Sequence, residues 1–402
     1  MAKSQSLGAF KLQNDLLSAR MVSQFLSGKQ LNSPKSLVQK MGALQAQHFD
    51  MAKWAIGKRM SSVDAPVGGF TENKNTAPPV TVNTIHQAME KGEIVRTHAL
   101  RPTWHFLAGE DLLWILQLTG PSIKGALFSR DKVIGIAEKE YIQSDEAIRR
   151  ILEDQKALTR QDLVEELRQR GFAMDEYRSN HYIMHAELEG IICSGTVQAN
   201  KHTYALSENI LGKGFSKALK LKEQLKGEPA AAELAKRYFS TRGPATVQDF
   251  AWWSGLGMTA IKRAIGALGK SLEVLPREGV AYYQILGPDT AAAKKDTENQ
   301  LQLLAAFDEY LISYKDRNIM LDKKHSAQII TSNGLFRPAM VENGKVIGGW
   351  QIENGKKGCK VKLMPFESLN IKEKRRLQIA AENAAESYSR FCQVPLLSVN
   401  FV

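Results

Sequence analysis

Gln45 and Gln47 stand two residues apart in Lys40-Met-Gly-Ala-Leu-Gln-Ala-Gln-His-Phe-Asp50, an otherwise apolar run just past a helical pattern. A neutral amide does not titrate, so it is a poor general base. It offers an acceptor oxygen and two donor hydrogens. That set suits holding a water molecule or the edge of a nucleobase in position. The competing reading is structural, with both amides hydrogen-bonding the end of a helix. His48 and Asp50 follow at once. Asp50 could supply a carboxylate or cap a helix over 51–60. His48 could accept a proton or be a surface histidine.

Other groups have the composition of an anion-binding surface. Arg96, His98, Arg101 and His105 alternate along Glu93–Leu107, a strand-like stretch. They could touch phosphates, with Arg96 and Arg101 the favoured contacts. Alternation equally turns half of a strand to solvent with no role. Lys262 and Arg263 sit on a helical pattern, where they read either as phosphate contacts or as an ordinary solvated face. Across the 402 residues, Lys+Arg is 54 and Asp+Glu is 42, a net charge of +12. Such an excess favours polyanions, of which DNA is the commonest.

Composition excludes several classes. The three cysteines, Cys193, Cys359 and Cys392, are far apart and form no C-x-x-C pair, so neither zinc site nor disulfide framework is indicated. No metal and no cofactor are expected. The N-terminal stretch lacks a signal-type apolar core, and no apolar run is long enough to span a bilayer. A cytoplasmic, nucleoid-associated location fits.

The elements that would position these groups recur along the chain. Ala157-Leu-Thr-Arg-Gln-Asp-Leu163 resembles Pro244-Ala-Thr-Val-Gln-Asp-Phe250. In each, Thr is a natural N-cap and Asp suits the positive first turn. Each is followed by a helix, a glycine break (Gly171; Gly255), a second helix, and a hairpin pattern (191–206; 272–285). Helix, turn, helix, hairpin is the plan of a winged helix, whose second helix usually enters the major groove. The N-terminal region fits a third copy. Helical patterns at 14–26, 35–43, 48–60 and 82–91 surround a Gly/Pro/Asn-rich loop at 61–81, and 93–107 forms the wing. Ser33-Pro34 is a strong helix start. From about Leu301 the pattern changes to strands. Asn343-Gly344 between apolar alternations is a hairpin signal, a second Asn354-Gly355 leads into Cys359–Met364, and 368–388 reads as one amphipathic helix.

Gly42-Ala-Leu-Gln-Ala-Gln47, Val95–Phe106, Ala306–Arg317 and Asn333–Pro338 through Gly349-Trp350 together resemble one family, the tandem winged-helix DNA glycosylases of the AlkZ and YcaQ type. The likeness runs over nearly the whole chain and keeps its order. It implies an α+β fold of three tandem winged helices and a small C-terminal antiparallel β-barrel. The boundaries expected are 1–120, 121–225, 226–298 and 299–402. The resemblance also implies a cofactor-free monofunctional glycosylase that removes bulky or crosslinking alkylpurines from double-stranded DNA. The family's Gln-x-Gln motif falls on Gln45 and Gln47. An Asp often follows that motif, where this chain has His48. The family's Arg-Gly-Thr at the first wing is Arg101-Pro102-Thr103 here.

N7-alkylated guanine is cationic, and its departure neutralises that charge. A transition state resembling an oxocarbenium ion then needs an oriented water and nearby polar groups more than a strong base. The Gln47 carbonyl would orient the water while Gln45 shares it or contacts the sugar-phosphate, or the two exchange roles. His48, Asp50, Asp308 and Arg317 could line the site. Asp308 would stabilise positive charge near the lesion, or belong to an internal Asp–Arg pair. Winged helices more often bind than catalyse, so a non-catalytic DNA-binding regulator is the alternative function. Tandem units in one chain suit a monomer.

Overall fold

The computed structural model describes residues 15–28, 30–60, 79–129, 131–197, 201–285 and 301–402. The expected loop at 61–81 lies outside them up to residue 78, as do the N-terminal stretch before residue 15 and the tip of the hairpin at 198–200.

The first group contains helix α1 (15–23), α2 (Pro34–Met41), strand β1 (Leu44–Gln45), α3 (Phe49–Gly57), α4 (Val82–Glu90), β2 (Ile94–Ala99) and β3 (Thr103–Ala108). Ser33 caps α2 by accepting from the Ser36 amide at 3.1 Å, and Pro34 supplies the first helical residue. The strands order as β1-β3-β2, so the segment carrying Gln45 is an edge strand laid on the β2–β3 hairpin.

The second group runs through α5 (Leu112–Phe128), α6 (Asp131–Ile134), α7 (Glu138–Gln155), β4 (Ala157–Thr159), α8 (Arg160–Gln169), α9 (Glu176–Leu188), β5 (Ile192–Ser194), β6 (Thr203–Leu206), α10 (Ser207–Leu211) and α11 (Phe215–Gln224). The third has α12 (Glu228–Thr241), α13 (Val247–Ser254), α14 (Met258–Leu268), β7 (Glu273–Arg277) and β8 (Val280–Gln284). The two Thr-x-Gln-Asp repeats behave alike. Thr159 and Thr246 each accept from the amide of the Asp three residues on, at 3.2 and 3.1 Å.

The last group holds β9 (Leu301–Leu304), α15 (Glu309–Ile312), α16 (Ser326–Ile329), β10 (Ala339–Glu342), β11 (Lys345–Gly355), β12 (Gly358–Pro365), α17 (Ile371–Cys392) and β13 (Leu396–Phe401). Asn343-Gly344 makes the β10–β11 turn, with φ of 51° and 79°, the left-handed values such a turn needs. Asn354-Gly355 does not make the next turn. Both residues stay in β11, and Gly355 pairs with Gly358 around Lys356-Lys357.

The expected antiparallel barrel is corrected here. The sheet is open, in the order β13-β12-β11-β10-β9, and its two end strands do not pair among the described residues. It is also mixed, because β13 runs parallel to β12. The reason is α17, whose 22 residues form a crossover between those strands, and a crossover returns the chain in the same direction. The molecule is an α+β fold.

The cores cross the boundaries between groups. Trp54 of α3 donates its indole N–H to Leu303 O at 2.8 Å, and Tyr388 of α17 packs edge-on against both Trp54 and Trp350. A Cβ at Gly57 would lie 2.3 Å from the Phe391 ring, so only glycine lets α3 approach α17 this closely. The first group and the C-terminal sheet therefore share one apolar core.

Candidate active site

The α2 helix stops at Gly42, whose φ of 75° reverses the chain. Ala43, Leu44 and Ala46 are then buried, which holds the segment against the hairpin. Gln45 lies opposite His105 in the β1–β3 register. The Ala46 amide donates to Trp104 O at 2.7 Å, and Arg96 Nε donates to Ala46 O at 3.1 Å. The backbone between the two glutamines is thus tied at both of its polar groups.

The two amides occupy different environments. Gln45 is 3% exposed, and its Oε1 accepts from Arg101 Nη2 and Thr103 Oγ1, each at 3.4 Å. Gln47 is exposed. Its Oε1 accepts from the Trp104 amide at 3.3 Å, which leaves one lone pair on that oxygen. Neither amide caps a helix.

Behind Gln45 lies a buried network that sequence reasoning missed. The Gln45 amide donates to Glu309 Oε1 at 2.7 Å. Glu309 Oε2 accepts from Arg242 Nη2 at 2.7 Å and from Trp253 Nε1 at 3.0 Å. Arg242 also donates to Met41 O and Ala43 O, at 2.7 and 2.8 Å. One guanidinium therefore ties the end of α2 and the start of the Gln-x-Gln segment to α15. Burial alone would raise the Glu309 carboxyl; Arg242, the Ser313 hydroxyl and the Gln45 amide overcome it and hold the group at about 2. Glu309 adjoins Asp308 in the motif Phe307-Asp-Glu-Tyr310, so the signal was one residue away.

Several expected site residues have structural roles. His48, not Asp50, caps the helix, with Nδ1 accepting from the Met51 amide at 3.4 Å. That helix begins at Phe49, which moves Asp50 into its first turn, where it pairs with Lys53 at 2.9 Å. Asp308 is 2% exposed and sits in a forked pair with Arg59 at 2.6 and 3.0 Å. The internal Asp–Arg reading therefore holds, with Arg59 as the partner in place of a nearby arginine. A carboxylate so enclosed does not line the site.

The first hairpin also departs from expectation. All six residues of β2 are buried, because α5, α9 and β5 pack against it. Arg96 is 5% exposed, stacked 4.0 Å above the Trp104 ring, and burial lowers its guanidinium to about 10. His98, 9% exposed, meets Glu187 at 2.7 Å. Neither presents an open surface to phosphate. His105 is fully buried; burial, then the Arg101 charge, push its imidazole down to about 3. Its Nδ1 faces Thr103 O at 2.9 Å, so Nδ1 carries the proton. By contrast, Lys262 and Arg263 are exposed on α14. Arg101 and Arg317 are half-buried near the site. No cluster of His, Cys, Asp or Glu among the described residues could hold a metal ion, and no helix among them is long and apolar enough to cross a membrane.

The backbone of this segment is tied on both sides of Ala46, Gln47 is exposed at its end, and the Arg101 guanidinium reaches Gln45 from the hairpin tip. Residues 38–391 match the family model described as DNA glycosylase AlkZ-like, and the chain belongs to that family of enzymes, which cleave the N-glycosidic bond between base and sugar. A similar curated protein is the interstrand DNA cross-link repair glycosylase of Streptomyces sahachiroi. It is 24% identical over 345 residues, covering 83% of this chain and 86% of that protein. Among solved structures, Streptomyces sahachiroi DNA glycosylase AlkZ superposes with a TM-score of 0.74 at 22% identity, over 97% of this chain and 99% of that one.

Proposed function

We propose that this protein excises N7-alkylated purines, including bulky adducts and interstrand crosslinks, from duplex DNA, with Gln47 holding the attacking water and Gln45 anchoring the strand that presents Gln47. The observation that carries this reading is the asymmetry of the two amides. Gln47 is exposed with a lone pair to spare, whereas Gln45 is buried and bonded to Arg101. An exposed carbonyl can accept from water and direct its oxygen at the sugar. A buried one cannot reach solvent, but it anchors the strand and fixes the Arg101 charge beside the sugar-phosphate. The cationic leaving base lowers the need for a strong general base. His105, kept neutral by burial down to about pH 3, is not a proton donor at working pH.

The three helix-and-hairpin groups act as winged helices, at 1–120, 121–225 and 226–298, with residues 299–402 as the C-terminal domain. They grip double-stranded DNA as a monomer through Arg101, Lys262 and Arg263. A crosslinked base cannot enter a tight flipping pocket, and an amide at an exposed position suits a lesion attacked without full extrusion.

The test uses duplex DNA carrying 7-methylguanine or a nitrogen-mustard crosslink, followed by alkali to cut abasic sites. Wild-type protein releases the base. Gln47→Ala loses release by about 10²–10³-fold, the scale for removing one positioned polar group. DNA binding with no base release by the wild type would replace the enzyme with a binding protein.

A further inference from the structure

Arg101 and Arg317 come from distant parts of the chain, yet each guanidinium lies 5.3 Å from the centre of the same indole, Trp252. We propose that these three side chains form a phosphodiester clamp, which holds the DNA backbone beside the nucleotide presented to Gln47. The idea rests on the glycosylase reading for what is presented, but not for the clamp's affinity for DNA.

Four observations support it. Trp252 is 41% exposed, but its Nε1 donates to Ile312 O at 3.0 Å, so an outward-facing indole is fixed in orientation. Neither Arg101 nor Arg317 forms a salt bridge among the described residues, where most other half-buried arginines have a carboxylate partner. Arg101 Nε and Arg317 Nη2 are buried donors with no hydrogen-bond acceptor among the described residues. Finally, the arrangement is built rather than incidental. The hairpin tip carrying Arg101 rests on the end of α13, where a Cβ at Gly255 would lie 2.3 Å from Leu100 O. Gly255 has a φ of 69°, so both its conformation and its lack of a side chain allow that approach.

Two like charges held near one ring repel. Arg317 is lowered to about 10, first by burial and then by Arg101. An anion bound between them relieves both costs, and a phosphodiester matches the planar donor forks of guanidinium groups. Stacking of Trp252 on a base is the weaker reading, since the ring already carries two guanidinium neighbours and its N–H is committed.

The experiment measures binding to undamaged duplex DNA between 50 and 200 mM salt, as a plot of log affinity against log salt. Each phosphate contact contributes about 0.9 to the slope, so losing one makes the affinity ratio across this range about 3.5-fold smaller. Arg317→Gln is expected to lower the slope by about one, and Arg317→Lys to restore it. Trp252→Ala removes no charge, yet it should lower the slope as well, because the guanidinium groups lose their support. Trp252→Phe, which keeps a ring but not the N–H, should fall between. Thermal midpoints check that each variant is folded. A wild-type slope in folded Arg317→Gln overturns the clamp. So does a Trp252→Ala that weakens binding equally at every salt concentration, the outcome of base stacking. If the slopes behave as expected while wild-type protein releases no 7-methylguanine, the glycosylase reading fails and the clamp stands.

Discussion

The first and third hairpins, β2–β3 and β7–β8, follow the same helix-then-hairpin plan and end in opposite surroundings. Every residue of β2 is buried, while β7 and β8 contain no buried residue at all. The difference comes from what packs against them. β2 is covered by α5, α9 and β5, and β3 is paired on its other edge with β1. The β7–β8 sheet has two strands, joined to the body mainly through Ala245 and α12. One hairpin has become a core element that aligns the Gln-x-Gln segment; the other remains a surface. Arginine therefore changes meaning between them. In β2 a guanidinium braces the backbone, whereas Lys262 and Arg263 on α14 are exposed.

Breaking the buried side of this contrast should give the largest effect. Glu309→Gln leaves Arg242 charged and enclosed, which costs about 3–5 kcal/mol when a buried pair loses one partner. Denaturant unfolding should show it, and a midpoint equal to wild type would mean that the network does not support the site. On the exposed side, Gln47→Ala should cost excision without cost to stability, because exposed substitutions usually stay within about 0.5 kcal/mol. A marked fall in its melting temperature would place Gln47 among the bracing groups instead.

The acid response gives a third probe. The His105 imidazole is depressed from 6.5 to about 3 in the folded protein. Below 6.5 the unfolded chain takes up a proton that the folded chain refuses. Stability from this group is therefore complete above about pH 6.5 and is lost as pH falls toward 3, at about 1.4 kcal/mol per pH unit within that window. Glu309, depressed from 4.5 to about 2, adds a second loss that begins below about 4.5. His105→Gln should flatten the dependence of stability on pH between 6.5 and 4.5; an unchanged dependence would assign it to another group. The smallest effects separate the two kinds of cation. Lys262→Gln or Arg263→Gln should each lower the salt slope of DNA binding by about one with normal stability. Arg96→Met should do the reverse, destabilising by about 1–2 kcal/mol through the lost stacking and hydrogen bond while leaving the slope alone.

Local signals in the chain match the structure where their cause is local. Ser33-Pro34, Thr159 and Thr246 start helices because a hydroxyl three residues from an orphan amide needs nothing else. Asn343-Gly344 turns because both residues accept a positive φ. The wrong readings share a different origin. Alternation along 93–107 identifies a strand but not which layers cover it, so Arg96 and His98, expected as phosphate contacts, are instead buried. The barrel that the family resemblance implies does not close, because closure depends on whether end strands meet, and α17 instead directs β13 into a parallel edge.

Element types, cationic character and the Gln-x-Gln motif are legible along the chain, since propensity, charge and motif are properties of neighbouring residues. Long-range packing encloses Gln45 while leaving Gln47 open, sets Glu309 rather than Asp308 against the motif, and brings Arg101 and Arg317 together at Trp252. Those outcomes depend on burial and on charges brought together from positions tens to hundreds of residues apart, and no local pattern encodes which of several similar side chains will be covered.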